Sequence, residues 1–116
     1  METRFYYAHL TIRVEWANGV FWTPTSRGPI VVPDPTNAAD LVAGHVEHSL
    51  GLIAETNAKT DPTSYTINGH AEAYYGDGRQ ANLPLAPVRT ETPDDLVRQV
   101  RSWAQEQFQK LAALES

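Results

Sequence analysis

The chain has no cysteine and a single methionine among its 116 residues. Without thiols there can be no disulfide staples, no cysteine-based zinc site and no thiol nucleophile, and any redox compartment is compatible. Cations are also scarce: nine Lys and Arg stand against fourteen Asp and Glu, for a net charge of −5. Nonspecific nucleic-acid binding draws its affinity from cations that displace counterions from phosphates. No basic run is present, so nucleic acid is not an expected partner. No apolar stretch approaches the roughly 20 residues that span a bilayer. Met1-Glu2-Thr3-Arg4 leads straight into a strand pattern, without the charged and apolar regions of a signal peptide. The expectation is a cytoplasmic protein with no membrane partner. Seven of the nine cations are arginine; with abundant alanine, this leans toward a GC-rich bacterial source.

What the chain does have is alternation. From Phe5 to Trp16, Tyr6, Ala8, Leu10, Ile12, Val14 and Trp16 point one way. Phe5, Tyr7, His9, Thr11, Arg13 and Glu15 point the other. A period of two over this length is a β-strand with one packed and one wet face. Asn18-Gly19 follows as a hairpin signal. A two-residue turn there pairs Ala17 with Val20, Trp16 with Phe21 and Glu15 with Trp22, which sends Trp22 to the wet face. Pro24, Pro29, Pro33 and Pro35 then confine the second strand to a sheet edge, because proline offers no amide to a central ladder. Ile30-Val31-Val32 adds a short extended piece.

Asp34 or Thr36 can cap a first helix, with Ala38, Leu41, Val42, Val46, Leu50 and Ile53 at helical spacing and an end near Thr56-Asn57 before Asp61-Pro62. His45 and Ser49 share its apolar side. A third strand runs from Tyr65 to Tyr75, with Thr66, Asn68, His70, Glu72 and Tyr74 on one face. Gly76-Asp77-Gly78 turns the chain. A two-residue turn would point Leu83 and Leu85 outward; burial of two leucines favours an odd loop or a bulge. Pro84 and Pro87 make the fourth strand another edge. Thr92-Pro93-Asp94-Asp95 starts a second helix, with a threonine cap, proline at the first position and acids at the positive end of the dipole. Leu96, Val97, Val100, Trp103, Ala104, Phe108, Leu111 and Leu114 form its stripe.

The expected architecture is a single α+β domain over residues 1–116, in the order β-β-α-β-β-α. It has one four-stranded antiparallel sheet, order 2-1-3-4, with two helices packed on one face. The other face is open. There, His9 stands opposite either His70 or Glu72, ringed by Tyr7, Arg13, Trp22 and Tyr74.

Three functional readings arise from this pattern. Aromatics and arginine are enriched at interface centres, which makes the open face a surface for a protein partner or a homodimer, with no enzymatic role, metal or cofactor. A histidine beside a carboxylate can also serve as a general base or acid, which makes His9, His70 and Glu72 a small-molecule or catalytic site. A solvated face of good strand formers is the bland option, and Trp22 with Tyr74 argues against it. The first helix, with Asp40, Glu47 and Glu55 and no cation, suggests an acidic mimic of nucleic acid. Three carboxylates are too few to be diagnostic, and an ordinary solvated face explains them better.

Other motifs fall away. His45-Val46-Glu47-His48 has histidines three apart, not the four of a zincin helix, so His45 is expected to border the core and His48 to be solvated. Gly44 and Gly51 fit tolerance in a packed helix better than close approach of a ligand. There is no nucleophile elbow and no phosphate-cradling glycine loop. Stacking of RNA bases on Tyr7 and Tyr74 conflicts with the strand order and the charge.

Overall fold

The period-two run forms β1 (Thr3–Glu15), and the third extended segment forms β4 (Ser64–Tyr75). They pair antiparallel along their length, with Tyr7 opposite Glu72, His9 opposite His70 and Ile12 opposite Ile67. β5 (Gln80–Thr90) pairs with the far side of β4. On the outer side of β1 lie two short pieces, β2 (Phe21–Trp22) and β3 (Ile30–Val31). The order 2-1-3-4 is therefore present, with the second strand broken in two. The proline-free strands are central and the proline-bearing segments are edges. This is a computed structural model that describes residues 3–17, 19, 21–22, 29–56 and 62–114, with backbone alone at 3, 4, 21, 22, 55 and 56. Pro24, Asn57 and Asp61, invoked above, lie outside the described residues.

Both hairpins use the same device. The Gly19 amide donates to the Trp16 carbonyl at 3.0 Å, and the Gly78 amide donates to the Tyr75 carbonyl at 3.1 Å. These glycines sit at φ +86° and +89°. That is the signature of a turn closed by a left-handed residue, one residue longer than the two-residue loop.

At the first hairpin the extra residue corrects the expected register. Glu15 faces Phe21 and Val14 faces Trp22. The pairing is slipped by one residue, so position 22 stands opposite Val14 and not opposite Glu15. Asn18 and Val20 lie outside the described residues. At the second hairpin the odd loop turns the leucines inward. Leu83 stands opposite Ala71, and Leu85 opposite Gly69. Leu85 is buried and Leu83 half-buried. A bulge follows, where Ala86 and Pro87 oppose Asn68 alone; the proline has no amide to give the ladder.

Asp34 accepts the Thr36 amide at 2.9 Å and caps a 3₁₀ turn (Pro35–Asn37) that runs into α1 (Ala38–Thr56). Thr92 accepts the Asp95 amide at 3.2 Å and caps α2 (Pro93–Ala113). Neither helix is long and apolar enough to cross a membrane. Both pack on the same side of the sheet. Fully buried Ala8, Ala71 and Ala73 are small there and admit the helices closely. Phe108 fills the centre, edge-on to Tyr6 and Trp103 at 6.3 and 6.4 Å. Full burial of such a ring contributes about 1.5–3 kcal/mol. Polar tips find partners: the Tyr75 hydroxyl donates to the Leu111 carbonyl at 2.7 Å, and Trp103 Nε1 donates to the Pro84 carbonyl at 3.4 Å. On α1 the core stripe also takes Ala43. His45, against expectation, is exposed, because the helix turns its neighbours Val42, Ala43 and Val46 inward instead.

Gly69 holds the central ladder closed. Its φ is +152°, and a Cβ there would lie 1.9 Å from the His9 carbonyl oxygen. Gly44 and Gly51 have the opposite environment, with nothing within 4 Å of an added Cβ. Chemical denaturation separates the two classes. Gly69→Ala costs about 3 kcal/mol through strain and clash. Gly44→Ala and Gly51→Ala each gain about 1 kcal/mol from helix propensity.

Candidate functional site

Odd-numbered residues of β1 and even-numbered residues of β4 project away from the helices, and the pairing of His9 with His70 brings their chemistry together. The two imidazoles stack with centroids 4.5 Å apart and planes 17° from parallel. Glu72 lies two residues along β4 from His70, on the same face, and reaches both rings. His9 Nε2 is 2.6 Å from Glu72 Oε1, and His70 Nε2 is 3.5 Å from Glu72 Oε2. The carboxylate is the sheltered member: its side chain is 15% exposed, against 36% for His9 and 39% for His70. Such a carboxylate can fix imidazole tautomers, accept a proton relayed through a ring, or join both rings around a cation.

An aromatic row continues from this cluster. Tyr7 lies 6.5 Å from His9, 5.9 Å from Tyr74 in an edge arrangement, and 6.0 Å from Phe5 in a stacked one. Phe5, Tyr7, Pro29, Glu72 and Tyr74 line an open cavity of about 380 Å³. Glu72 thus belongs both to the histidine cluster and to the cavity wall. Its negative charge is the main cause that raises the Tyr74 hydroxyl above the usual tyrosine pKa, with desolvation and a hydrogen bond to the same carboxylate adding to it.

Five of the seven residues expected at the site, Tyr7, His9, His70, Glu72 and Tyr74, are gathered here. Arg13 shares the face but stands opposite Thr66, four residues along β1 from His9, and is ion-paired to Glu15 at 3.0 Å. Position 22 stands opposite Val14 in the backbone pairing, not opposite Glu15 as expected. The selection omitted Phe5 and Val31, which are 54% and 55% exposed. Phe5 was detectable, since it has the parity of Tyr7 and His9. Val31 stands opposite Tyr7 through the short β3 pairing, which a proline-rich stretch conceals.

The other candidates do not assemble. His45 and His48 are both exposed on α1. Among the described residues, His9, His70 and Glu72 make the one group of three His, Asp or Glu side chains close enough to share an ion. The acidic helix is partly neutralised, because Asp40 is ion-paired with Arg101 of α2.

The electrostatic link between Glu72 and Tyr74 is directly measurable. Glu72→Gln removes the charge that disfavours tyrosinate, so the Tyr74 pKa falls toward the ordinary value, as followed by NMR titration of its ring carbon. An unchanged midpoint would assign the elevation to another cause. Comparison with protein-family models, with curated proteins and with solved structures finds no match to this chain.

Proposed function

We propose that the chain is a non-enzymatic interaction module whose open sheet face docks a second copy of itself. The observation that carries this reading is the ring row from Phe5 through Tyr7 to Tyr74, His9 and His70, continuous on a face that no helix covers among the described residues. Exposed Phe5 and Val31 extend it with apolar surface. Large aromatic contacts of low conformational entropy are what interface centres are made of.

Charge favours a second copy over an unrelated partner. The chain carries −5, yet among the described residues the open face is balanced, with Arg13 and Arg89 against Glu15 and Glu72. Acids such as Asp34, Asp40, Glu47, Asp77, Asp94 and Glu106 sit on the helices and turns instead. Two copies that meet face to face keep those like charges apart. Size is adequate as well. Three long strands at about 3.3 Å per residue and 4.8 Å spacing offer on the order of 600 Å² per copy before side-chain relief, close to the roughly 800 Å² of a standard interface.

Light scattering at several concentrations tests this reading. The expected result is a mass that rises from 12.9 kDa toward twice that value. Added salt strengthens the association, because it screens the net repulsion between acidic chains. Phe5→Glu and Tyr74→Ala each weaken it by about tenfold or more, with folding unchanged by circular dichroism. A monomer at every concentration, or a dimer indifferent to both variants, overturns the proposal. Association that weakens steeply with salt would point to the acidic helix face.

A further inference from the structure

The geometry points to a transition-metal site on the sheet, with His9 Nε2, His70 Nε2 and a Glu72 oxygen as protein ligands. One ligand atom from each of the three residues, a ring nitrogen or a carboxylate oxygen, lies within 4.8 Å of the other two. An ion with bonds near 2.1 Å needs its ligands roughly 3.3 Å apart; His9 Nε2 lies 2.6 Å from Glu72 Oε1 and His70 Nε2 lies 3.5 Å from Glu72 Oε2, so both rings already approach the carboxylate, one oxygen each. All three side chains stand on adjacent positions of the two central strands, so their Cα positions are fixed by the ladder and not by a loop. Gly69, next to His70, permits the close approach of the β1 backbone at His9.

The donor set selects the ion. Two imidazoles and one carboxylate are poor ligands for calcium or magnesium, which take oxygen donors. They suit zinc, cobalt, nickel or copper as divalent ions. Three protein ligands also leave at least one coordination position open, as in sites that bind a further ligand and unlike closed structural sites. Glu72 sets the direction of that opening, because it also lines the cavity with Phe5, Tyr7 and Tyr74. A small anion or a water would complete the shell there. An imidazole that ligates through Nε2 carries its proton at Nδ1, so the ion would select that tautomer of each ring. This site does not rest on self-association, since every ligand comes from one chain.

The test is titration of the untagged 116-residue chain with cobalt(II) chloride, read by visible d–d absorption, and with zinc chloride, read by calorimetry. One equivalent per chain is expected for each ion, with zinc bleaching the cobalt band. His70→Ala and Glu72→Gln, each confirmed folded by circular dichroism, weaken binding by at least about tenfold, the loss that even outer partners of a metal cause. His48→Ala leaves it unchanged, because that residue is on the opposite side of the fold. Absence of a cobalt band and of zinc heat in the unaltered chain overturns the site, as does binding that persists in His70→Ala or is lost in His48→Ala. Scattering of the same samples reports self-association separately, so failure of one reading is distinguishable from failure of the other.

Discussion

The antiparallel ladder between β1 and β4 is the constraint on which the rest of this molecule depends. It is the longest pairing in the sheet, running from Thr3 opposite Tyr75 to Glu15 opposite Ser64. One register fixes two faces at once. It buries Tyr6, Ala8, Ile12 and Val14 with Ile67, Ala71 and Ala73 against the helices. It also stacks His9 on His70 and lays Glu72 beside both. A slip by one residue would invert every side chain and place imidazoles in the core. Burial of the apolar set therefore enforces the arrangement of the polar set, although the polar contacts themselves are half-exposed and individually modest.

Gly69 shows how tightly this ladder is drawn. Its backbone passes so close to His9 and Leu10 that no other residue fits without movement. The same glycine lies opposite Leu85 on β5, at the end of the bulge formed by Ala86 and Pro87. Close backbone approach on one side and irregular pairing on the other meet at one residue. The candidate site begins at its immediate neighbour, His70. A glycine within a strand often marks such a place, and here it couples the rigidity of the sheet to the spacing of the cluster.

Much of this was legible from residue order. Alternation from Phe5 to Trp16 gave the first strand and its faces. Proline placement gave the centre and edges, and the caps at Asp34 and Thr92 gave the helix starts. The opposition of His9 to His70 followed from parity, as one of two allowed registers. Turn length was harder. Asn-Gly and Asp-Gly satisfy both a two-residue loop and a longer one closed by a left-handed glycine. The second hairpin was resolved by Leu83 and Leu85, which had to be buried. The first has no such pair, and its register differs by one residue from the expected one. Phe5 carries the parity of the site residues and is legible from it, whereas the exposure of Val31 depends on its pairing with β1 and on what fails to cover it, which a sequence does not state locally. The convergence of two Nε2 atoms on one carboxylate depends on rotamers, which no pattern of residue types specifies.

The most direct test of this account is the distance between the two histidine rings in solution. Nuclear Overhauser spectroscopy on the chain labelled at histidine reads it without ligand, partner or substitution. The account predicts strong cross-peaks between the ring protons of His9 and His70. Their absence, or cross-peaks from His9 to the side chain of Ala71 or Ile67, would mean a slipped ladder and would remove the common basis of the core, the open face and the metal site.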